Sequence, residues 1–222
     1  MIAALGAGTS VAVATLVTDE VQVVSQVFTY STVLTAVFAA VAGILLFTSE
    51  AQHGTLATAL TAQPARWVIA TAKIIIAAAF GLVLGATGLA AGIAGAAASG
   101  LALGDTSTMA ATTLWAMLFT SLATLCGLGV GMIVRHSAGA VSGLLVWWLV
   151  VENTCTFFLP AEIARFLPFF AGNALLGIDS DTATAESIAV ALTRPANALV
   201  FGGYAAAALI IGSVLLYRRD TN

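Results

Sequence analysis

Charged side chains are scarce in this 222-residue chain: Asp, Glu, Lys and Arg make up 8% of it, against about a quarter of an ordinary soluble domain. With 60% of its residues hydrophobic and a mean hydropathy of +1.06, it reads as an integral membrane protein. Basic residues are few, 7 against 10 acidic for a net charge of -3, so no basic face exists to neutralise phosphates and nucleic-acid binding is excluded. Lys73 is the sole lysine, in the context Ala-Thr-Ala-Lys-Ile-Ile-Ile. A P-loop requires Gly-Lys followed by Ser or Thr, so this chain cannot hold ATP by that route. Its two cysteines, Cys126 and Cys155, lie in separate apolar runs without a CxxC or Cys/His cluster, which points to buried free thiols and no metal site.

Catalytic patterns are missing as well. His53 and His136 fall in different loops without HExxH spacing, and no GxSxG elbow occurs. No catalytic residue is assigned, and the chain is expected to perform no bond chemistry and to need no cofactor of its own.

Long apolar runs are abundant. A helix crosses a bilayer in about 20 apolar residues, and that ruler predicts a single all-α transmembrane domain over 1–222 with about six spans: 1–17, 27–48, 69–95, 110–134, 138–159 and 198–217. The first is marginally short. Ala12 to Ala14 resembles a signal-peptide cleavage site, but no Lys or Arg precedes the run, which argues against cleavage. Arg66, Lys73, Arg135, Arg218 and Arg219 fall in the loops that an even count puts on one side, whereas only Arg165 and Arg194 fall on the other. Basic loops are retained inside, so both termini are expected in the cytoplasm.

Glycines 81, 85, 88, 92 and 95 recur at a 4-3-4-3 spacing that lines one helix face, and Gly127 and Gly131 repeat the device in the fourth span. Such stripes admit close backbone approach; they suit packing within the chain, or else a dimer seam or moving interface. Within the spans only Glu152, beside Asn153, falls near membrane depth. It is either an interfacial carboxylate facing water or a polar contact, in a pathway or with the segment that follows. That segment, 160–197, mixes aromatic and aliphatic residues with Glu162, Arg165 and two prolines near its start. It is too interrupted to span and is expected to form short outward-side helices at the membrane interface.

The most informative connection runs from Thr48 to Trp67. Leu56 and Leu60 share a helical face and Pro64 suits a helix start, so a short helix over 49–62 is predicted between two spans. Here the chain resembles the ABC type 2 permeases, the membrane subunits of certain ATP-binding-cassette exporters, particularly small alanine-rich actinobacterial ones. The resemblance rests on Ser49-Glu50, His53-Gly54-Thr55, Pro64-x-Arg66 and Lys73. It continues through Gly127-Leu-Gly-Val-Gly131, Arg135, Ala138-Gly139, Val146-Trp-Trp-Leu-Val-Val-Glu152, Arg165-Phe-Leu-Pro168 and Arg218-Arg-Asp220. Ala51 and Gln52 stand where such permeases often carry an aromatic residue and an arginine, which removes a charged donor fork from the contact.

The resemblance implies a six-span exporter subunit of the bacterial cytoplasmic membrane, paired with a second permease copy or homologue. It also implies separate ATPase subunits that bind ATP and Mg, with the 49–62 coupling helix placing Glu50, His53, Gly54, Thr55 and Leu56 at the ATPase contact. The near absence of charge in the spans suggests an apolar or amphipathic cargo, such as a lipid or a drug-like antibiotic. The alternatives are a non-transporting scaffold or immunity protein, or an ion-gradient carrier.

Overall fold

The structure, a computed structural model, describes residues 24–55, 65–98, 106–177 and 189–218. Among these residues it is all-helical, with five helices long and apolar enough to cross a membrane. The elements are α1 (Val24–Gln52), α2 (Arg66–Ala98), α3 (Thr106–Val134), α4 (Ser137–Val146), a π turn (Trp147–Glu152), α5 (Asn153–Phe158), α6 (Ala161–Ala164), α7 (Pro168–Ala174) and α8 (Arg194–Arg218). The spans expected over 27–48, 69–95, 110–134, 138–159 and 198–217 all coincide with apolar helices; the one expected over 1–17 lies outside the described residues.

Two helices form the centre. In the membrane-length windows of α1 and α3, 56% and 61% of residues are buried, against 28% for α2, 17% for the α4–π–α5 span and 22% for α8. Glycine explains why α1 and α3 pack so closely. A Cβ at Gly127 would fall on the Ala40 carbonyl, and one at Gly43 on the Thr124 carbonyl, so the two helices touch backbone to backbone. The stripe on α2 meets hydroxyls. Gly81 faces the Ser121 backbone and the Thr124 hydroxyl of α3, Gly85 faces the Thr120 hydroxyl, and Gly88 faces the Thr35 hydroxyl of α1.

Those hydroxyls are satisfied before they meet a glycine. Thr35 donates to the Ser31 carbonyl (2.9 Å) and Thr124 to the Thr120 carbonyl (2.8 Å), both one turn back. Ser121 instead crosses to the Ala78 carbonyl of α2 at 3.2 Å, a polar tie between helices where hydrocarbon offers no other partner. The glycines at 81, 85, 88, 127 and 131 are therefore occupied by the chain's own helices. Gly92 is buried, and Gly95 lies in the last turn of α2.

Polar residues set the ends. α1 contains 29 residues, about 43 Å of helix at about 1.5 Å per residue, against a hydrocarbon core of about 30 Å. It does not stop at Thr48, where hydropathy falls. Ser49 through Gln52 complete its last turn, held by the Ser49 hydroxyl on the Leu45 carbonyl and by the His53 amide on the Ser49 carbonyl. The break comes at Gly54, whose φ of +74° is the left-handed conformation that glycine adopts without strain. Of the short helix expected over 49–62, the first four residues thus belong to the span itself, and 56–62 lie outside the described residues.

α3 and α4 are joined by only two residues. Arg135 takes a left-handed φ of +58° and ends α3, and His136 caps α4 by accepting the Gly139 amide on Nδ1 at 3.1 Å. Replacing His136 by alanine should cost about 1 kcal/mol of stability, as for other N-caps, and asparagine should restore most of it; thermal unfolding in detergent measures both.

Candidate functional site

The helix ends gather polar side chains into two clusters, one at each end of the bundle. At the basic end lie the termini of α1, α3 and α8 and the starts of α2 and α4. Arg66 donates to the Leu216 and Tyr217 carbonyls at 2.7 and 3.1 Å, closing the last turn of α8 with a positive charge at its dipole's negative end. Lys73, nearly two turns along α2, reaches back to α1. Its ammonium pairs with the Glu50 carboxylate at 2.7 Å and donates to the Leu46 carbonyl at 3.1 Å. The Gln52 amide oxygen accepts from Ser137 at 2.8 Å, tying α1 to α4. Beneath them Phe47, Leu128, Met132 and Leu216 are fully buried.

This frame holds a turn that no described residue covers. His53, Gly54 and Thr55 are exposed. His53 Nδ1 donates to the Ser49 carbonyl at 2.7 Å, and Thr55 donates to the Glu50 carbonyl at 3.3 Å. Glu50 is therefore an anchor beneath the turn; Leu56 lies outside the described residues. Because the Glu50 side chain is 42% exposed, solvent screens the ion pair. A double-mutant cycle of Glu50→Gln with Lys73→Met should return a coupling of about 0.5–1 kcal/mol.

At the far end, Glu152 is turned into the bundle. Its carboxylate does not face water: the residue is 4% exposed. Oε1 accepts the Phe169 amide at 3.0 Å and the Trp147 indole N–H at 3.1 Å, and Oε2 accepts the Phe170 amide at 2.9 Å. Glu152 is thus the polar partner of the segment that follows its own span, fastening the first turn of α7. Pro168 opens that helix, so no amide is wasted at its first position.

Aromatic packing completes the attachment. Trp148 stacks on Phe169 with ring centroids 4.0 Å apart and planes 9° from parallel, and Phe119 and Phe201 close the cluster at tilted contacts of 5.5–6.2 Å. Gly172 leaves the space that the Phe119 ring fills. Arg165 adds a second tie, donating to the Val190 carbonyl at 2.9 Å and so joining α6 to the chain that leads into α8.

Asn153 does not join Glu152. Its amide turns back to the Trp148 and Leu149 carbonyls at 3.3 and 3.1 Å, while Thr154 donates to the Val150 carbonyl at 2.7 Å. These are carbonyls of the π turn, whose i→i+5 pattern departs from the α-helical ladder. Sequence reasoning missed the turn. The signal that could have found it is the pairing of Trp147 with Glu152 five residues on, followed directly by two polar donors.

Between α2 and α8 a shallow apolar groove of about 230 Å³, lined by Ile74, Leu209, Ile210, Ser213, Val214 and Tyr217, opens to the outside of the bundle. The five apolar helices mark the chain as a multi-pass α-helical membrane protein. A scan against models of known protein families gives no match, and no curated protein matches the chain.

Proposed function

We propose that the chain is the membrane-spanning permease subunit of an ATP-binding-cassette exporter in a bacterial cytoplasmic membrane. The observation that carries the reading is the exposed His53-Gly54-Thr55 turn, seated on a helix end that an ion pair and several hydrogen bonds fix to the bundle. A turn so mounted moves with α1, and α1 is half of the central pair, so a push on the turn is transmitted to the core instead of being absorbed by a loose loop.

The distribution of basic residues supports that role. Among the described residues Arg66, Lys73, Arg135 and Arg218 lie at the end that presents the turn, and Arg165 and Arg194 at the other, which orients the turn toward the cytoplasm under the positive-inside rule. A separate ATPase subunit supplies ATP binding and hydrolysis with Mg, the catalysis that this chain leaves to its partner. A second permease copy or homologue supplies the other half of the pathway, and the exposed flanks of α2, α4 and α8 are solvated by membrane lipid. The cargo is apolar or amphipathic, such as a lipid or drug-like antibiotic, in keeping with spans that carry almost no charge.

Substituting the turn by Ala-Pro-Ala tests the reading. Proline cannot take the φ of Gly54, so the surface is destroyed while the Glu50–Lys73 anchor stays. ATP-linked efflux should fall at least tenfold with the protein still monodisperse. Efflux that persists unchanged would reject the coupling role.

A further inference from the structure

The far-end cluster carries an inference that does not depend on the exporter reading. In an α-helix residues five apart point about 140° away from each other, whereas a π turn brings i and i+5 onto one face. Trp147 and Glu152 share the carboxylate's hydrogen bond only because the six residues Trp147–Glu152 adopt the π form. The same register aims Glu152 at the Phe169 and Phe170 amides and lays Trp148 on Phe169. Removing the extra residue of the turn rotates one side of the span by about 100° relative to the other. If the α5 side turns, Glu152 leaves the α7 amides; if the α4 side turns, Trp148 leaves Phe169.

Two further observations make this register a balanced one. The span that holds it is the least buried of the five, with 17% of its window covered, so a rotation is opposed at one narrow face, by Ala140, Leu144, Trp148 and Glu152. The carbonyls at Trp148, Leu149 and Val150 receive side-chain donors from Asn153 and Thr154, which compensates the π form without touching α7. We propose that the π turn is a two-state latch: in the π register Glu152 and Trp148 hold α7 closed over the aromatic cluster, and relaxation to the α register releases α7 from the bundle while α1 and α3 stay packed.

Thiol labelling reads this directly. Ala171 is fully buried in α7. In a Cys155→Ser background, Ala171→Cys supplies the reporter, and native Cys126, buried in α3, the internal reference. N-ethylmaleimide modification of each thiol is followed by mass spectrometry on the full chain in mild detergent. The paired substitution Asn153→Leu with Thr154→Val removes only the donors to the π carbonyls, and Glu152→Gln removes an acceptor from α7. Each should raise the labelling rate of the reporter at least tenfold with Cys126 unchanged. A reporter that stays slow in both variants overturns the latch. A response to Glu152→Gln alone also overturns it, since the cap would then be static and independent of the turn. Equal acceleration of both thiols would mean that α7 opens only when the whole bundle does, which contradicts a local release.

Discussion

Gly127→Leu should leave little folded protein. The Cβ alone would fall on the Ala40 carbonyl, and the opposing Gly43 already abuts the Thr124 carbonyl, so neither side chain nor rotamer can yield and the central helices themselves must part. Overpacking a core where side chains can adjust costs about 1–3 kcal/mol. Here the obstacle is backbone at the most buried crossing, and a cost above about 3 kcal/mol is expected. For a chain of this size that lowers the melting temperature by roughly 10 °C or prevents folding. Gly143→Leu is the control, because a Cβ there meets nothing within 4 Å; its melting temperature should stay close to the parent's. Thermal unfolding and size-exclusion profiles in one detergent compare the two, and equal behaviour would refute the backbone crossing.

The second large effect is at Glu152. Leucine in its place strands two backbone amides and an indole N–H where the structure has a buried carboxylate. The Phe169 amide is buried, and leaving it without a partner costs about 1–3 kcal/mol, whereas the Phe170 amide and the Trp147 indole are partly exposed and cost less. Hydrogen exchange at the Phe169 and Phe170 amides should accelerate roughly a hundredfold, equivalent to about 3 kcal/mol, whereas amides in the middle of α3 should change little. Glu152→Gln, which keeps one acceptor oxygen, should lie between. Unaltered exchange at both amides would mean that the carboxylate does not hold α7.

Much of the fold was legible because hydropathy answers to a single length scale, the thickness of the bilayer. Five described spans sit where apolar runs predicted, with ends shifted by a few residues wherever polar side chains prolong a helix, as Ser49 and Glu50 do for α1 and as Arg194 does at the start of α8. Pro195 falls in that first turn of α8, where its missing N–H costs nothing. The glycine stripe was readable as a packing face, but its partners were not: which helix carries hydroxyls opposite Gly81 or Gly88 depends on the three-dimensional order of the spans, which spacing along one helix does not encode. Glu152 was visible as the one carboxylate near membrane depth. Its acceptor role was hidden because the donors lie 17 and 18 residues later and are backbone amides, which leave no mark in side-chain composition. The π turn was invisible to any 3.6-residue period for the same reason that it matters, since it breaks that period once.

Coupling through the basic-end turn remains the centre of the proposed function, and purification of the tagged chain from its native membrane in mild detergent tests it most directly. Mass spectrometry of the eluate should find an ATP-binding-cassette ATPase in stoichiometric amount, and the His53→Ala, Gly54→Pro and Thr55→Ala triple variant, equally expressed and equally monodisperse, should lose it. Recovery of the intact chain without an ATPase, in detergents that preserve such complexes, would contradict the exporter reading and leave a membrane scaffold or a gradient-driven carrier in its place.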